Sequence, residues 1–179
     1  MLSGFLITSE SAPGETRVAA SPETVKKLTS LGCNVFIESG AGIASGFSDD
    51  SYTKSSGEII PVGEKTTWGE VDVVLCVQSP KSEKLSNLKA GAWIAGLLAP
   101  YGNSGLLNSL KTGSLSALAL ELLPRISRAQ ACDALSSQAN IAGYKSVLLA
   151  ASALDRYFPM LMTPAGTVQP AKVVIVGAG

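Results

Sequence analysis

The stretch Val71-Asp72-Val73-Val74-Leu75-Cys76-Val77 is apolar at every position but Asp72. A strand with one wet face alternates apolar and polar residues. A run without alternation belongs to a strand buried on both faces, as in a parallel sheet covered by helices on each side. Trp93–Leu98 and Leu115–Leu120 share this character, and shorter strand-like runs come earlier at Phe5–Thr8, Asn34–Glu38 and Glu58–Pro61. Helical signals lie between them. Ser21-Pro22-Glu23 reads as an N-cap, a first-turn proline and a first-turn carboxylate, followed by Val25, Leu28 and Leu31 on one face and Gly32 as the stop. Asp49–Ser56, closed by Gly57, and Gly105–Leu110 with Lys111 read as further short helices. Strand–helix alternation predicts an α/β lobe, doubly wound about a mostly parallel sheet.

The organisation changes after Leu120. Pro124–Gln130 is polar and carries Arg125 and Arg128. From about Ala131 to Tyr157 the pattern is helical, with Leu135, Ile141, Val147, Leu148 and Leu154 recurring. Gly143 interrupts it, at a cost of ~1 kcal/mol against alanine in an exposed helix. Pro159–Pro170 reads as a Pro/Gly/Thr connector, and Lys172–Val176 as an apolar strand running into Gly177-Ala178-Gly179. The expected division is a Rossmann-like N-terminal lobe over 1–134, then a long connecting helix and the first strand of a second lobe over 135–179.

Composition narrows the chemistry. The 179 residues are 46% hydrophobic and 16% charged, a core-rich balance that excludes disorder. Lys+Arg and Asp+Glu are 14 each, so the basic excess of a nucleic-acid binder is missing. There is no histidine, which rules out a Ser-His-Asp triad, a Cys-His pair, a zinc HExxH site or a histidine base within the chain. Cys33, Cys76 and Cys132 are widely spaced with no CxxC, so neither a disulfide framework nor a metal site is expected. Cys33 and Cys76 sit in apolar runs and read as small buried hydrophobes. No apolar run approaches the ~20 residues of a membrane span, and the chain is expected to be soluble.

Two segments carry chemistry. A buried-type strand followed by Gly177-x-Gly179 is how a dinucleotide-binding βαβ unit begins, the first glycine allowing the turn and the second a close approach to pyrophosphate. A plain turn fits these residues equally well. The Gly40–Gly46 stretch does not have the G-x-G-x-x-G spacing and reads as a loop. Pro124–Asn140 is the densest polar stretch, placed after a buried strand where open α/β sheets hold ligands. Arginine offers a fork for phosphate or carboxylate, and Asp133 and Ser136 would share a helix face. A solvated loop leading into an ordinary helix start is the other reading these residues admit.

Glu121-Leu-Leu-Pro-Arg-Ile-Ser-Arg-Ala-Gln130, continuing Ala-Cys-Asp-Ala-Leu-Ser-Ser-Gln-Ala-Asn-Ile-Ala-Gly-Tyr144, resembles the α subunits of proton-translocating NAD(P) transhydrogenases, in their NAD(H)-binding component. So do Glu15-Thr-Arg-Val-Ala19 with Ser21-Pro22, the Glu38-Ser-Gly-Ala-Gly42 turn, and Ala165-Gly-Thr-Val-Gln-Pro-Ala-Lys172, so that the likeness covers essentially the whole chain. The resemblance implies hydride transfer from NADH on this component to NADP⁺ on a partner that binds NADP(H), coupled to proton movement through a membrane component. It implies a homodimer of the full NAD-binding component, on the cytoplasmic or mitochondrial-matrix face of a membrane complex. It assigns catalytic roles to Arg125, Gln130, Asp133 and Ser136. Arg125 would hold ribose or phosphate, Gln130 would reach toward NADP(H), and Asp133 and Ser136 would bond the ribose and carboxamide of NADH. Gly177 and Gly179 would join Arg125, Asp133 and Ser136 in cofactor binding. Direct transfer between nicotinamides needs no general base, which suits a chain without histidine.

The wider superfamily includes alanine dehydrogenase, which opens on a similar Glu-x-Arg-Val motif and handles pyruvate with a histidine and a lysine. Here Gln78 stands at the lysine position and the histidine is absent, so Arg17 reads as a remnant of a keto-acid site. A non-catalytic ligand-binding or interaction module, and less favoured an alanine dehydrogenase-like enzyme, are the alternatives. Against the family the second lobe is expected to be cut short, and its strand to be frayed. Residues 1–179 alone are therefore expected to bind NAD(H) weakly or not at all; micromolar NADH binding in isothermal titration would overturn this.

Overall fold

One six-stranded sheet, parallel throughout, takes up the strand-like runs in the spatial order 58–60, 34–38, 4–7, 73–78, 93–97 and 116–119. A computed structural model describes residues 4–177, and the chain divides into two compact units after Pro124. In the first unit the strands are β1 (Gly4–Ile7), β2 (Asn34–Glu38), β3 (Glu58–Ile60), β4 (Val73–Gln78), β5 (Trp93–Leu97) and β6 (Ser116–Ala119). The helices between them are α1 (Pro22–Ser30), α2 (Asp49–Thr53), α3 (Lys65–Glu70), α4 (Ser82–Leu85) and α5 (Ser104–Gly113). α3 and α4 lie where no helix is expected from sequence, because helices of six and four residues leave too little periodicity to read.

Alternate side chains of a strand point to opposite faces, and the core divides accordingly. Leu6 belongs to a cluster with Trp68, Val74, Leu85, Ile94 and Leu106, whereas its neighbour Ile7 packs with Val25, Val35, Ile37 and Tyr52. Thus α3, α4 and α5 cover one face and α1 and α2 the other. The doubly wound arrangement follows, with its switch point between β1 and β4. α1 starts as expected: the Ser21 hydroxyl accepts the Thr24 N–H at 3.3 Å, and Gly32 follows with φ +84°. Leu31, expected on the buried face, is instead 70% exposed, because it caps the helix rather than continuing its stripe. Asp72, the polar exception in the opening stretch, precedes β4; its carboxylate accepts the Gly4 N–H at 2.9 Å and pairs with Lys89 at 2.6 Å. Leu115–Leu120, expected to be covered on both faces, forms edge strand β6, where Leu118 is exposed. Cys76 is buried, and Cys33 only partly so.

Two carboxylates tie the carboxyl ends of the strands together. Glu38, the last residue of β2, is fully buried. It accepts the backbone N–H of Ser9 at 2.8 Å and of Gly63 at 2.7 Å, the Trp68 indole N–H at 3.1 Å, and Lys84 Nζ on both oxygens at 3.0 and 2.9 Å. Glu10 closes the end of β4, accepting the N–H groups of Val77 at 2.6 Å and Gln78 at 3.1 Å. Beside it Glu15 holds the Arg17 guanidinium through Nε at 2.7 Å and Nη2 at 2.6 Å, and accepts the Gln78 amide at 2.7 Å. Arg17 and Gln78 hold the Glu15 carboxyl down at about 2, while desolvation raises that of Glu10.

The second unit begins with a 3-10 turn, Ser127–Cys132, and continues as α6 (Ala134–Ala153). The apolar residues of α6 (Leu135, Ile141, Val147 and Leu148 among them) lie exposed, and none of its residues is buried. The expected connector contains an antiparallel hairpin of β7 (Leu161–Thr163) and β8 (Gly166–Val168), in which Thr163 pairs with Gly166. Three-residue strands are too short to show an alternation. Lys172–Val176, expected as a strand, joins no sheet, and Val174, Ile175 and Val176 are exposed. Its backbone groups have no ladder partner among the described residues, and a strand needs one.

Glu38→Ala is expected to destabilise the chain by about 3–5 kcal/mol, the cost of breaking a buried ion pair and stranding its donors. Urea unfolding followed by Trp68 fluorescence, in a Trp93→Phe background, measures it; a loss below ~1 kcal/mol would refute the role. Glu15 titrates well below its ordinary 4.5, so its contribution is present above pH 4.5 and lost as pH falls toward 2. Glu10, shifted upward, acts in the opposite sense. Acid titration of wild type against Glu15→Gln is expected to show the loss between pH 4.5 and 2 only in the former.

Candidate functional site

The polar segment folds so that its charged and hydroxyl groups meet at the start of α6. Within the 3-10 turn the Ile126 carbonyl accepts the Ala129 N–H at 2.9 Å, and the Gln130 carbonyl accepts the Asp133 N–H at 3.3 Å. This delivers Asp133 to the N-cap of α6, where an acidic side chain is favoured by the unpaired N–H groups and the helix dipole. Its Oδ1 accepts the Ser136 backbone N–H at 2.9 Å, and its Oδ2 the Ser136 hydroxyl at 2.5 Å. The same hydroxyl accepts Arg125 Nη2 at 3.4 Å. Ser136 thereby links a guanidinium to a carboxylate. Its two hydrogen bonds, with the field of Arg125 as a smaller contribution, hold the Asp133 carboxyl below the usual aspartate range.

Arg125, Asp133 and Ser136 are therefore brought together. The Gln130 side chain is exposed and joins none of them among the described residues. Gly177 has φ +87°, a conformation that glycine adopts without strain; Gly179 lies outside the described residues. The cluster is a cation, an anion and a hydroxyl side by side at the surface. It can meet a ligand that presents both acceptors and donors, such as a phosphate beside a sugar diol, or a carboxamide. A groove of about 680 Å³ opens here, lined by Arg125 and Ser136 and further along α6 by Asn140, Gly143 and Tyr144. Asn140 and Tyr144 were not singled out from sequence, although the spacing of Ser136, Asn140 and Tyr144 places them on one helix face.

The other place where a doubly wound sheet usually holds a ligand is the switch point between β1 and β4. Arg17, Glu15 and Gln78 do meet there, but Glu15 takes up the Arg17 fork from within the chain. Asp49 similarly occupies the Gly40 loop, accepting the Ser39 hydroxyl at 2.8 Å and the Gly40 N–H at 2.9 Å. Among the described residues no group of three or more His, Cys, Asp or Glu could hold a metal, and no helix is long and apolar enough to cross a membrane.

The chain as a whole is similar to known proteins. The family model described as alanine dehydrogenase/PNT, N-terminal domain, matches residues 6–142, and its C-terminal counterpart matches residues 146–179. An NAD(P) transhydrogenase alpha-subunit polypeptide of Rhodospirillum rubrum is 43% identical over 178 residues, covering 97% of this chain and 46% of the relative. Alanine dehydrogenase 1 of Staphylococcus aureus is 31% identical over 145 residues, covering 81% of this chain and 37% of the relative. Among solved structures, the transhydrogenase of Sinorhizobium meliloti superposes with a TM-score of 0.86 at 43% identity, over 94% of this chain and 50% of that one. The chain spans about half the length or less of the curated relatives it matches. A family model covering most of the chain, and a sheet that superposes on a solved member, lead to one conclusion: the chain belongs to the alanine dehydrogenase/PNT family.

Proposed function

We propose that this chain supplies a portion of the NAD(H)-binding component of an NAD(P) transhydrogenase, an oxidoreductase that moves hydride from NADH to NADP⁺ and couples the transfer to proton translocation. The observation that carries the reading is the Arg125–Ser136–Asp133 cluster, three residues that the family motif marks and in which the Ser136 hydroxyl bonds both the guanidinium and the carboxylate. The donor set suits a dinucleotide. The guanidinium matches a phosphate or carboxamide oxygen, and the ionised Asp133 an N–H or sugar hydroxyl. NADP(H) and the proton channel belong to partner components, and a homodimer of the full NAD-binding component on the cytoplasmic or matrix face of the membrane completes the reading.

NADH supplies the hydride, with its electron pair, from the dihydronicotinamide ring. The chain's own task is geometric. Arg125 and Asp133 would hold the sugar–ring half of the nucleotide and fix its orientation for transfer to the partner's nucleotide. Ser136 keeps their side chains in register, and Gln130, projecting from the turn just before Asp133, reaches toward the partner nucleotide. By the family motif, Gly177 and Gly179 would take part in binding the pyrophosphate. No proton leaves a substrate hydroxyl or amine, so no general base is needed, and orientation accounts for the chemistry. Alanine oxidation does need an acid/base group, and the chain's residues offer neither histidine nor a lysine at position 78.

In the reconstituted complex, Arg125→Ala is expected to weaken NADH binding by roughly 10–100-fold, the loss of a charge-assisted hydrogen bond worth about 1.5–3 kcal/mol. Asp133→Asn is expected to slow hydride transfer by a similar factor. Stopped-flow transfer from NADH to an NADP⁺ analogue checks both, and unchanged rates would remove the site assignment.

A further inference from the structure

Among the described residues, three besides glycine have a positive φ: Ser56 at +64°, Ser114 at +51° and Ala99 at +47°. Ser56 and Ser114 follow helices α2 and α5, where a left-handed residue is an ordinary ending. Ala99 follows a strand instead. It carries a Cβ that disfavours this region, and it precedes Pro100, which favours an extended residue before it. Strain of this kind persists only where the surroundings impose it, and it collects at functional sites. The group that imposes it is Glu121, in the 3-10 turn Leu120–Leu122 after β6, whose Oε1 accepts the Ala99 N–H. Glu121 Oε2 is buried and accepts nothing among the described residues. Glu38 and Glu10, which hold the strand ends, use both oxygens. A carboxylate kept for stability alone would be paired on both sides, and an unsatisfied one has another reason to be there.

β5 and β6 are parallel neighbours, so Ala99 and Glu121 both lie at the carboxyl edge of the sheet, the edge at which open α/β sheets hold ligands. The turn that carries Glu121 is closed by the Leu123 N–H, which donates to the Leu120 carbonyl at 3.3 Å. Leu123 is then extended, at φ −59° and ψ 132°, and the Pro124 ring fixes the next φ. Only Leu122, Leu123 and Pro124 stand between Glu121 and Arg125. The tether to the arginine is thus short and stiff. Resting on the nucleotide reading of Arg125, Asp133 and Ser136, we propose that Glu121 is a positioning residue for NADH. Its bond to Ala99 ties the turn after β6 to the loop after β5, and so fixes the point from which the Arg125 segment departs. The left-handed conformation of Ala99 is what that tie costs. Glu121 acts through the turn and on the affinity for NADH, which is the same in ground and transition states, and leaves the transfer step alone.

The test uses the full transhydrogenase with its NADP(H)-binding and membrane components, carrying the substitutions in this subunit. Glu121→Ala is expected to raise the KM for NADH about tenfold, the size of one hydrogen bond. The KM for NADP⁺, kcat and the thermal midpoint should stay unchanged. Equilibrium dialysis with NADH is expected to show the same loss without turnover. Glu121→Gln keeps an acceptor at the same reach and should keep the wild-type affinity, whereas Glu121→Asp keeps the charge but is a methylene short and should lose as much as Glu121→Ala. An unchanged NADH affinity in Glu121→Ala overturns the proposal. So does an equal loss in Glu121→Gln, because the acceptor would then not be what matters. A lowered thermal midpoint that accounts for the loss, or an equal rise in the KM for NADP⁺, also overturns it, because either would be a general structural role. Arg125→Ala separates the two readings. If it weakens NADH while Glu121→Ala does not, the positioning proposal falls alone. If it leaves NADH binding unchanged, the nucleotide site falls and the positioning proposal with it.

Discussion

A carboxylate with no access to water must have a donor for every lone pair it presents, and Glu38 meets that demand by drawing on several separate segments. It ends β2 and receives N–H groups from the segments after β1 and β3, the indole of α3 and the ammonium of α4. Lys84 also lies 5.4 Å over the Trp68 ring, which adds a cation–π contact to the ion pair. The alignment of the carboxyl ends of β1, β2 and β3 depends on this one group. Removing it would leave donors buried without acceptors, which costs more than the pair contributes over an apolar replacement.

The same principle governs the polar groups at the switch point. A doubly wound sheet offers a crevice at its switch point, yet in this chain Glu10 caps β4 there and Glu15 neutralises Arg17. Those side chains meet the needs of the strand ends and leave the arginine fork engaged. At the start of α6, Asp133 and Arg125 share one serine hydroxyl. Keto-acid chemistry at Arg17 would require displacing Glu15, whereas the proposed cofactor-to-cofactor transfer makes no demand on the switch point.

Much of the sheet was legible because buried parallel strands have a strong signature. Val71–Val77, Trp93–Leu98 and Asn34–Glu38 lie within a residue or two of the observed strands, and Ser21-Pro22-Glu23 marks the start of α1. The misses are local elements with little periodicity: α3, α4 and the β7–β8 hairpin. Leu118 and Leu31 were misplaced for a related reason, since an apolar residue does not reveal whether its strand is at an edge or its helix has ended. In the candidate site, Arg125, Asp133 and Ser136 were readable from the family motif and their spacing.

Apolar runs, helix caps and the lack of histidine follow from residue identity alone, because they depend on neighbours in the chain. They establish an α/β lobe and restrict the chemistry the chain's own side chains can perform. Which carboxylate meets which donor depends on residues far apart in sequence. Glu38 with Lys84, Glu15 with Gln78 and Glu10 with Val77 are separated by 46, 63 and 67 positions. Only the folded sheet could decide those pairings, because strand order and register bring the partners within hydrogen-bond distance.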